Sequence, residues 1–90
     1  MRLEQFEYIE AVAEHGSMST AAQHLHVSQQ NISKAIKQLE DELKITAFIR
    51  SKKGTVLTPQ GELICKFAKK QLTQYRLLKD NLYQMQLKNL

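Results

Sequence analysis

The middle of the chain carries a run of amide, hydroxyl and basic side chains: Gln29, Gln30, Asn31, Ser33, Lys34 and Lys37. Amide side chains can form paired hydrogen bonds with adenine, and a lysine ammonium group can bind guanine or a phosphate. Between them, apolar residues recur at steps of three and four: Ile32, Ile36, Leu39 and Leu43. This spacing predicts a helix over residues 29–43 with the apolar stripe buried and the polar side chains on the other face. Such a helix fits the major groove of DNA.

Helix-terminal signals predict two shorter helices before this one. Apolar residues at helical spacing indicate a first helix that ends at Gly16. Ser19 is expected to cap a second, short helix, and Ser28 to cap the third. Free backbone N–H groups at helix starts favour phosphate, so Ser19 and Ser28 join the candidate DNA contacts. A short helix, a tight turn and a longer helix predict a helix-turn-helix motif with the helix over residues 29–43 as its recognition helix.

A β-hairpin is predicted after the recognition helix, from extended segments at residues 47–50 and 55–58. Gly54 supplies the positive φ that the connecting turn usually needs. Lys52 and Lys53 lie in this turn, and we expect them to contact phosphates rather than to be merely solvated. Three helices followed by a hairpin with a basic tip predict a mainly α fold of the winged helix-turn-helix class over residues 1–58.

Thr58 and Pro59 predict the start of a fourth, linker helix over residues 59–90. At about 1.5 Å per residue this helix would reach roughly 45 Å, which is too long to bury in so small a domain. It carries an apolar stripe near a three-four spacing: Ile64, Ala68, Tyr75, Leu78, Leu82 and Met85. We expect the stripe from Ala68 onward to pair with a second copy in a homodimer. Leu63 and Phe67 are expected to pack on their own domain.

The net charge of +4 is unevenly distributed along the 90 residues. Residues 1–16 hold four glutamates and one arginine, whereas residues 28–58 hold six basic residues and three acidic ones. This segregation is typical of a surface that binds a phosphate backbone, although a basic solvated face would give the same pattern. No segment has the length and hydropathy of a membrane span, and no signal peptide is expected, which predicts a cytoplasmic protein.

No residue pattern predicts catalysis, a metal site or a cofactor. His24 and His26 stand two apart and diverge on a helix, without a cysteine or acidic partner at ligand spacing. Ser28 lacks the surroundings of a nucleophile, and Cys65 is expected to be a small buried apolar residue. We therefore predict a protein that is not an enzyme. A winged-helix module that binds protein is the alternative, and it would more often expose apolar residues on the recognition helix.

An ordered set of motifs extends through most of the chain: Ala21-Ala22, Leu25, Val27-Ser28-Gln29, Ser33-Lys34-Ala35-Ile36, Leu39-Glu40, Leu43, Phe48-Ile49-Arg50 and Leu57-Thr58-Pro59-Gln60-Gly61. This set resembles the N-terminal domain of the LysR-type transcriptional regulators of bacteria, and residues 59–90 resemble the linker helix of that family. The resemblance implies sequence-specific binding of double-stranded DNA through residues 18–37, with Arg50 and Lys53 as wing contacts.

The resemblance also implies partners. A homodimer with two-fold symmetry predicts an interrupted inverted repeat as its DNA target. In this family an effector-binding domain ordinarily follows the linker helix, so a small-molecule inducer is expected to act only through a domain that these residues do not include. Asn31 stands where the family usually has a small residue, Ile45 where it has glycine and Ala47 where it has leucine. The departure at Asn31 implies that the domain recognises different bases. Another family of winged-helix regulators is the remaining alternative.

Overall fold

The computed structural model describes residues 1–89, which form four helices and one two-stranded antiparallel sheet. In chain order the elements are α1 (Leu3–His15), α2 (Met18–Leu25), α3 (Gln29–Leu43), β1 (Phe48–Ser51), β2 (Gly54–Leu57) and α4 (Pro59–Lys88). The predicted winged helix-turn-helix with a long helix after it is confirmed, and α3 has the bounds that the apolar spacing predicts.

The core lies between α1, α2 and α3. Ile9 and Val12 of α1, Ala21 of α2, and Ile32 and Leu39 of α3 are all fully buried. Because α2 contributes only short side chains here, it can pack closely against its two neighbours. The polar face of α3 is thereby held outward on a rigid base.

The helix ends follow the predicted signals with one exception. Gly16 ends α1 with φ +69°, and the Ser28 hydroxyl accepts a hydrogen bond from the Asn31 N–H at 3.1 Å. The cap of α2, however, is Ser17, whose hydroxyl accepts from the Thr20 N–H at 3.2 Å, so the prediction of Ser19 as the cap is wrong. Gly16 already reverses the chain, and the single extended residue Ser17 is enough to start the next helix.

The wing is a short hairpin in which Phe48 pairs with Leu57 and Ser51 pairs with Gly54. Gly54 has φ +116°, as the turn predicts, and its neighbour Thr55 donates its N–H to the Gly16 carbonyl at 3.0 Å. This hydrogen bond ties β2 to the end of α1. The wing is therefore anchored to the helical body beside its turn, in addition to the pairing of its own strands.

The long helix α4 starts at a strong cap. The Thr58 hydroxyl accepts from the Gly61 N–H at 2.9 Å, and Pro59 occupies the first turn. The rest of the domain, residues 1–58, is called the body. Four residues on one side of α4 are buried against it: Gly61, Cys65, Ala68 and Leu72. Every side chain from residue 73 to residue 89 is exposed, and the molecule measures 54 × 26 × 19 Å. Within residues 1–89, no helix has the length and hydropathy needed to span a membrane.

Candidate nucleic-acid interface

The outer face of α3 presents a continuous polar surface. All the side chains that the sequence singles out on and before this helix are exposed: Ser28, Gln29, Gln30, Asn31, Ser33, Lys34 and Lys37. Between them Ile32 and Ile36 are buried, which fixes the rotation of the helix about its axis. The amide groups are concentrated in the first turn, where backbone N–H groups also point out of the helix.

Three separate elements meet beside the start of α3. Ser19 of α2, Gln29 of α3 and Arg50 of β1 line one cleft with a volume of about 210 Å³, together with Ser17 and Thr55. Ser19 is not the cap of α2, but it lies in the exposed first turn of that helix. The cleft is therefore bordered by hydroxyl, amide and guanidinium groups from both helices of the motif and from the wing.

The tip of the wing carries the two predicted lysines. Lys52 and Lys53 form the turn between β1 and β2, and both are exposed. The Ser51 hydroxyl accepts from the Lys53 N–H at 3.2 Å and donates to the Gly54 carbonyl at 3.1 Å, which closes the turn. Two ammonium groups are thus displayed at the end of a hydrogen-bonded ribbon.

Arg2 and Gln38 extend the polar surface and are absent from the sequence-based prediction. The Arg2 guanidinium donates to the Gln38 side-chain carbonyl at 2.9 Å, and both line a shallow pocket of about 260 Å³ with Asn31 and Lys34. Gln38 follows Lys34 by four residues, so helical spacing could have placed it on the same face. No signal in the sequence brings Arg2 to α3, because that contact depends on how α1 packs.

Four of the five residues predicted as dimer contacts on α4 are exposed, and the fifth is buried. Tyr75, Leu78, Leu82 and Met85 are 41%, 54%, 50% and 61% exposed. Ala68 is fully buried within its own domain, so its prediction as a dimer contact is wrong. It lies on the side of α4 that faces the body, about 80° around the helix from Leu78 at about 100° per residue.

Of the two residues expected to pack on their own domain, Phe67 does so in part and Leu63 does not. Phe67 lies edge-on to Phe6, with ring centroids 5.6 Å apart, although 44% of it stays exposed. Leu63 is 73% exposed, and its predicted packing is wrong. Leu72, which the sequence-based stripe omits, is buried. The body therefore covers a narrower side of α4 than predicted and leaves more apolar surface uncovered.

The remaining candidate groups lie outside this interface. Cys65 is buried, as predicted, and burial, with a smaller contribution from Glu10, raises the pKa of its thiol. The rings of His15 and His24 lie 4.6 Å apart. Residues 1–89 contain no group of three His, Cys, Asp or Glu side chains placed to hold a metal ion.

The fold and the polar face of α3 define a winged helix-turn-helix protein, and comparison with known families is more specific. Residues 3–62 match the family described as bacterial regulatory helix-turn-helix protein, lysR family. The chain belongs to this family.

Individual relatives agree with this assignment. The HTH-type transcriptional regulator CzcR of Bacillus anthracis is 39% identical over 79 residues, which are 88% of this chain and 27% of that protein. The chain thus spans about a quarter of the length of that curated relative. Two solved structures are also similar. The BenM_DBD/catB site 1 DNA complex has a TM-score of 0.90 and 29% identity, over 94% of this chain and 96% of that one. The CbnR_DBD-DNA complex has a TM-score of 0.87 and 34% identity, over 94% and 98%.

Proposed function

We propose that residues 1–58 bind double-stranded DNA in a sequence-specific way, as the DNA-binding part of a transcriptional regulator in the bacterial cytoplasm. The observation that carries this proposal is the cleft in which Ser19, Gln29 and Arg50 meet. The start of α2, the start of α3 and the wing lie side by side at this cleft, so a duplex that places α3 in its major groove can meet all three. The BenM and CbnR domains that resemble this chain are named as DNA complexes.

The polar face of α3 would supply the choice of sequence. Gln29, Gln30 and Asn31 carry amides suited to adenine edges, and Lys34 can reach guanine or phosphate. Leu43 is the one large apolar side chain exposed on α3, and it lies at the last residue of the helix. A module that binds protein through α3 would expose apolar residues along this face, so the polar surface favours DNA over that alternative.

A second copy of the chain would complete the binding unit. We propose that α4 pairs with α4 of another copy through Tyr75, Leu78, Leu82 and Met85, and that the target is an interrupted inverted repeat. Any small-molecule inducer would act through a domain outside residues 1–90, because the chain matches only 27% of the curated relative. In this proposal α4 (Pro59–Lys88) serves as the linker and dimerisation helix, and residue 90 of the predicted range 59–90 lies outside the described residues.

Selection of bound sequences from a random DNA pool, followed by titration of the selected site, tests the proposal directly. We expect one motif with two related half-sites and a binding constant that falls steeply as salt rises. Enrichment of no motif, together with salt-independent or absent binding, would contradict it and would favour the protein-binding module.

Replacement of Lys34 or of Gln29 by alanine is expected to weaken binding to the selected site by about 1–3 kcal/mol each. Both side chains project from the exposed face of α3 where base edges would lie. Fluorescence anisotropy titrations at one salt concentration measure the change. Lys66→Ala and Gln84→Ala make the same changes at exposed positions of α4 and should bind like the unmutated chain. If Lys34→Ala and Gln29→Ala also bind the selected site as tightly as the unmutated chain does, α3 does not contact the bases.

Replacement of both Lys52 and Lys53 by alanine is expected to lower affinity for all DNA sequences alike. Lysines at the tip of a hairpin reach phosphates, so their loss should reduce the slope of log affinity against log salt by about 1–2. Titrations of the selected site and of an unrelated duplex at several salt concentrations give both quantities. A changed sequence preference with an unchanged salt slope would show that the tip contacts bases instead.

A further inference from the structure

One carboxylate on α3 holds the segment that leads into the wing. The Glu40 side chain accepts hydrogen bonds from the Ala47 N–H at 2.7 Å and from the Phe48 N–H at 3.4 Å. Its backbone carbonyl accepts from the N–H groups of Lys44 and Ile45. A single residue of the recognition helix therefore accepts hydrogen bonds from four N–H groups, three in the connection to β1 and one in β1 itself, and two of the four go to the charged side chain.

The other side of the same segment is held by the start of α4. The Ala47 carbonyl accepts from the Thr58 N–H at 2.9 Å, and the Thr58 hydroxyl donates to the neighbouring Thr46 carbonyl at 2.5 Å. The Ala47 side chain is fully buried. Ala47 is thus bonded to α3 through its N–H and to α4 through its carbonyl, and the position of β1 is set by both helices.

By its charge alone, Glu40 would weaken the binding of DNA, so any favourable contribution must come from the contacts that it makes within the protein. It lies in a segment whose basic residues outnumber its acidic ones, and a carboxylate near a phosphate backbone lowers affinity. Hydrogen bonds that a carboxylate accepts from backbone N–H groups are stronger than neutral ones, which suits it to fixing the connection between two elements. The geometry gives the carboxylate such a role.

We propose that Glu40 is a positioning residue for DNA binding, which sets the wing against the recognition helix so that both meet one duplex. It acts through Ala47 and Phe48 and does not touch DNA itself. This contact, together with the Thr55–Gly16 and Ala47–Thr58 hydrogen bonds, sets the spacing between α3 and the basic residues of the wing. The proposal rests on the DNA-binding function proposed above.

The direction in which Glu40→Ala changes the affinity for DNA tests this positioning role. Glu40→Ala is expected to lower affinity for the selected DNA site about tenfold, because two charge-assisted hydrogen bonds are lost and the wing shifts. Asp41→Ala removes the same charge from the next residue, where the carboxylate is exposed and lies 3.8 Å from the Lys37 ammonium. Asp41→Ala should raise affinity, because it removes a negative charge and frees the Lys37 ammonium for DNA. If Glu40→Ala raises affinity as Asp41→Ala does, Glu40 is not a positioning residue.

A double-mutant cycle separates positioning from general loss of stability. In a background with Arg50→Ala, Lys52→Ala and Lys53→Ala the wing has lost all of its proposed DNA contacts, so adding Glu40→Ala should cost less than about threefold. A tenfold loss in both backgrounds would show that Glu40 supports the fold alone and would overturn the proposal. Circular dichroism at the titration temperature checks that each variant is folded.

Glu40→Gln provides a second variant, because its amide oxygen can accept both hydrogen bonds, as the single Oε2 of Glu40 does, but without the charge that strengthens them. It is expected to bind at least threefold more tightly than Glu40→Ala, and less tightly than the unmutated chain. If Glu40→Ala does not fold, the cycle is run with Glu40→Gln against Asp41→Asn, and the same opposite signs are expected. An unmutated chain that binds no DNA would refute the proposed function, whereas normal binding with a neutral Glu40→Gln and Glu40→Ala would refute only the positioning role.

Discussion

Gly61→Ala is expected to lower the free energy of unfolding by about 3 kcal/mol, a large effect for the addition of a single methyl group. A Cβ at this position would overlap the Ala47 carbonyl oxygen and lie 2.9 Å from the carbonyl carbon. These are backbone atoms already bonded to Thr58, so they cannot move aside without breaking the cap of α4. Overpacking typically costs about 1–3 kcal/mol and occasionally more. An overlap with bonded backbone atoms falls above that typical range, at about 4 kcal/mol, and the higher helix propensity of alanine recovers only about 1 kcal/mol of it.

Urea unfolding followed by circular dichroism measures this change at equilibrium. Gln60→Ala is the matched control, since Gln60 is the preceding residue in the same helical turn and is exposed. Its unfolding free energy should change by less than about 0.5 kcal/mol. If Gly61→Ala is as stable as Gln60→Ala, α4 can move away from the wing at little cost, and the close approach of the two is not a constraint on this fold.

Local signals in the sequence predicted most of the fold. Ser28, Gly16 and the pair Thr58-Pro59 act within a few residues of their own position, and each has the predicted role. The prediction of Ser19 as the cap of α2 failed because Ser17, two residues earlier, is an equally good capping residue. The turn at Gly16 decided between them, and two candidate caps so close together carry no further local signal.

Contacts between distant segments could not be predicted in the same way. Arg2 reaches Gln38 across 36 positions, and Glu40 reaches Ala47 only because the chain after α3 folds back on it. Ala68 failed for a related reason. Ala68 and Tyr75 are seven residues, or about two helical turns, apart. This spacing fits both the side of α4 that faces the body and the exposed stripe, and only the packed structure separates the two. Spacing alone predicts a face of a helix, but not what covers that face.

The stripe on α4 is expected to form the dimer, and Leu78→Glu with Leu82→Glu should abolish it. These side chains are exposed beyond the last buried residue, Leu72, where the body no longer covers the helix. Burying each half-exposed leucine in the seam contributes about 1 kcal/mol, whereas a buried unpaired carboxylate costs several. Dimer affinity should fall about 1,000-fold, which corresponds to about 4 kcal/mol. Sedimentation equilibrium measures this, and circular dichroism confirms that the monomer is folded.

Leu77→Glu with Leu87→Glu is the matched control. These leucines are 52% and 45% exposed, close to the 54% and 50% of Leu78 and Leu82, but they point about 120° or more away from the centre of the stripe. The control carries the same change of charge, so any direct repulsion of DNA is the same in both variants. It should remain dimeric and bind the inverted repeat, whereas the stripe variant should bind that site about 100-fold more weakly because the two half-sites no longer share one stalk. An unmutated chain that is monomeric at high micromolar concentration would refute the dimer, and a stripe variant that stays dimeric would place its interface elsewhere on the molecule.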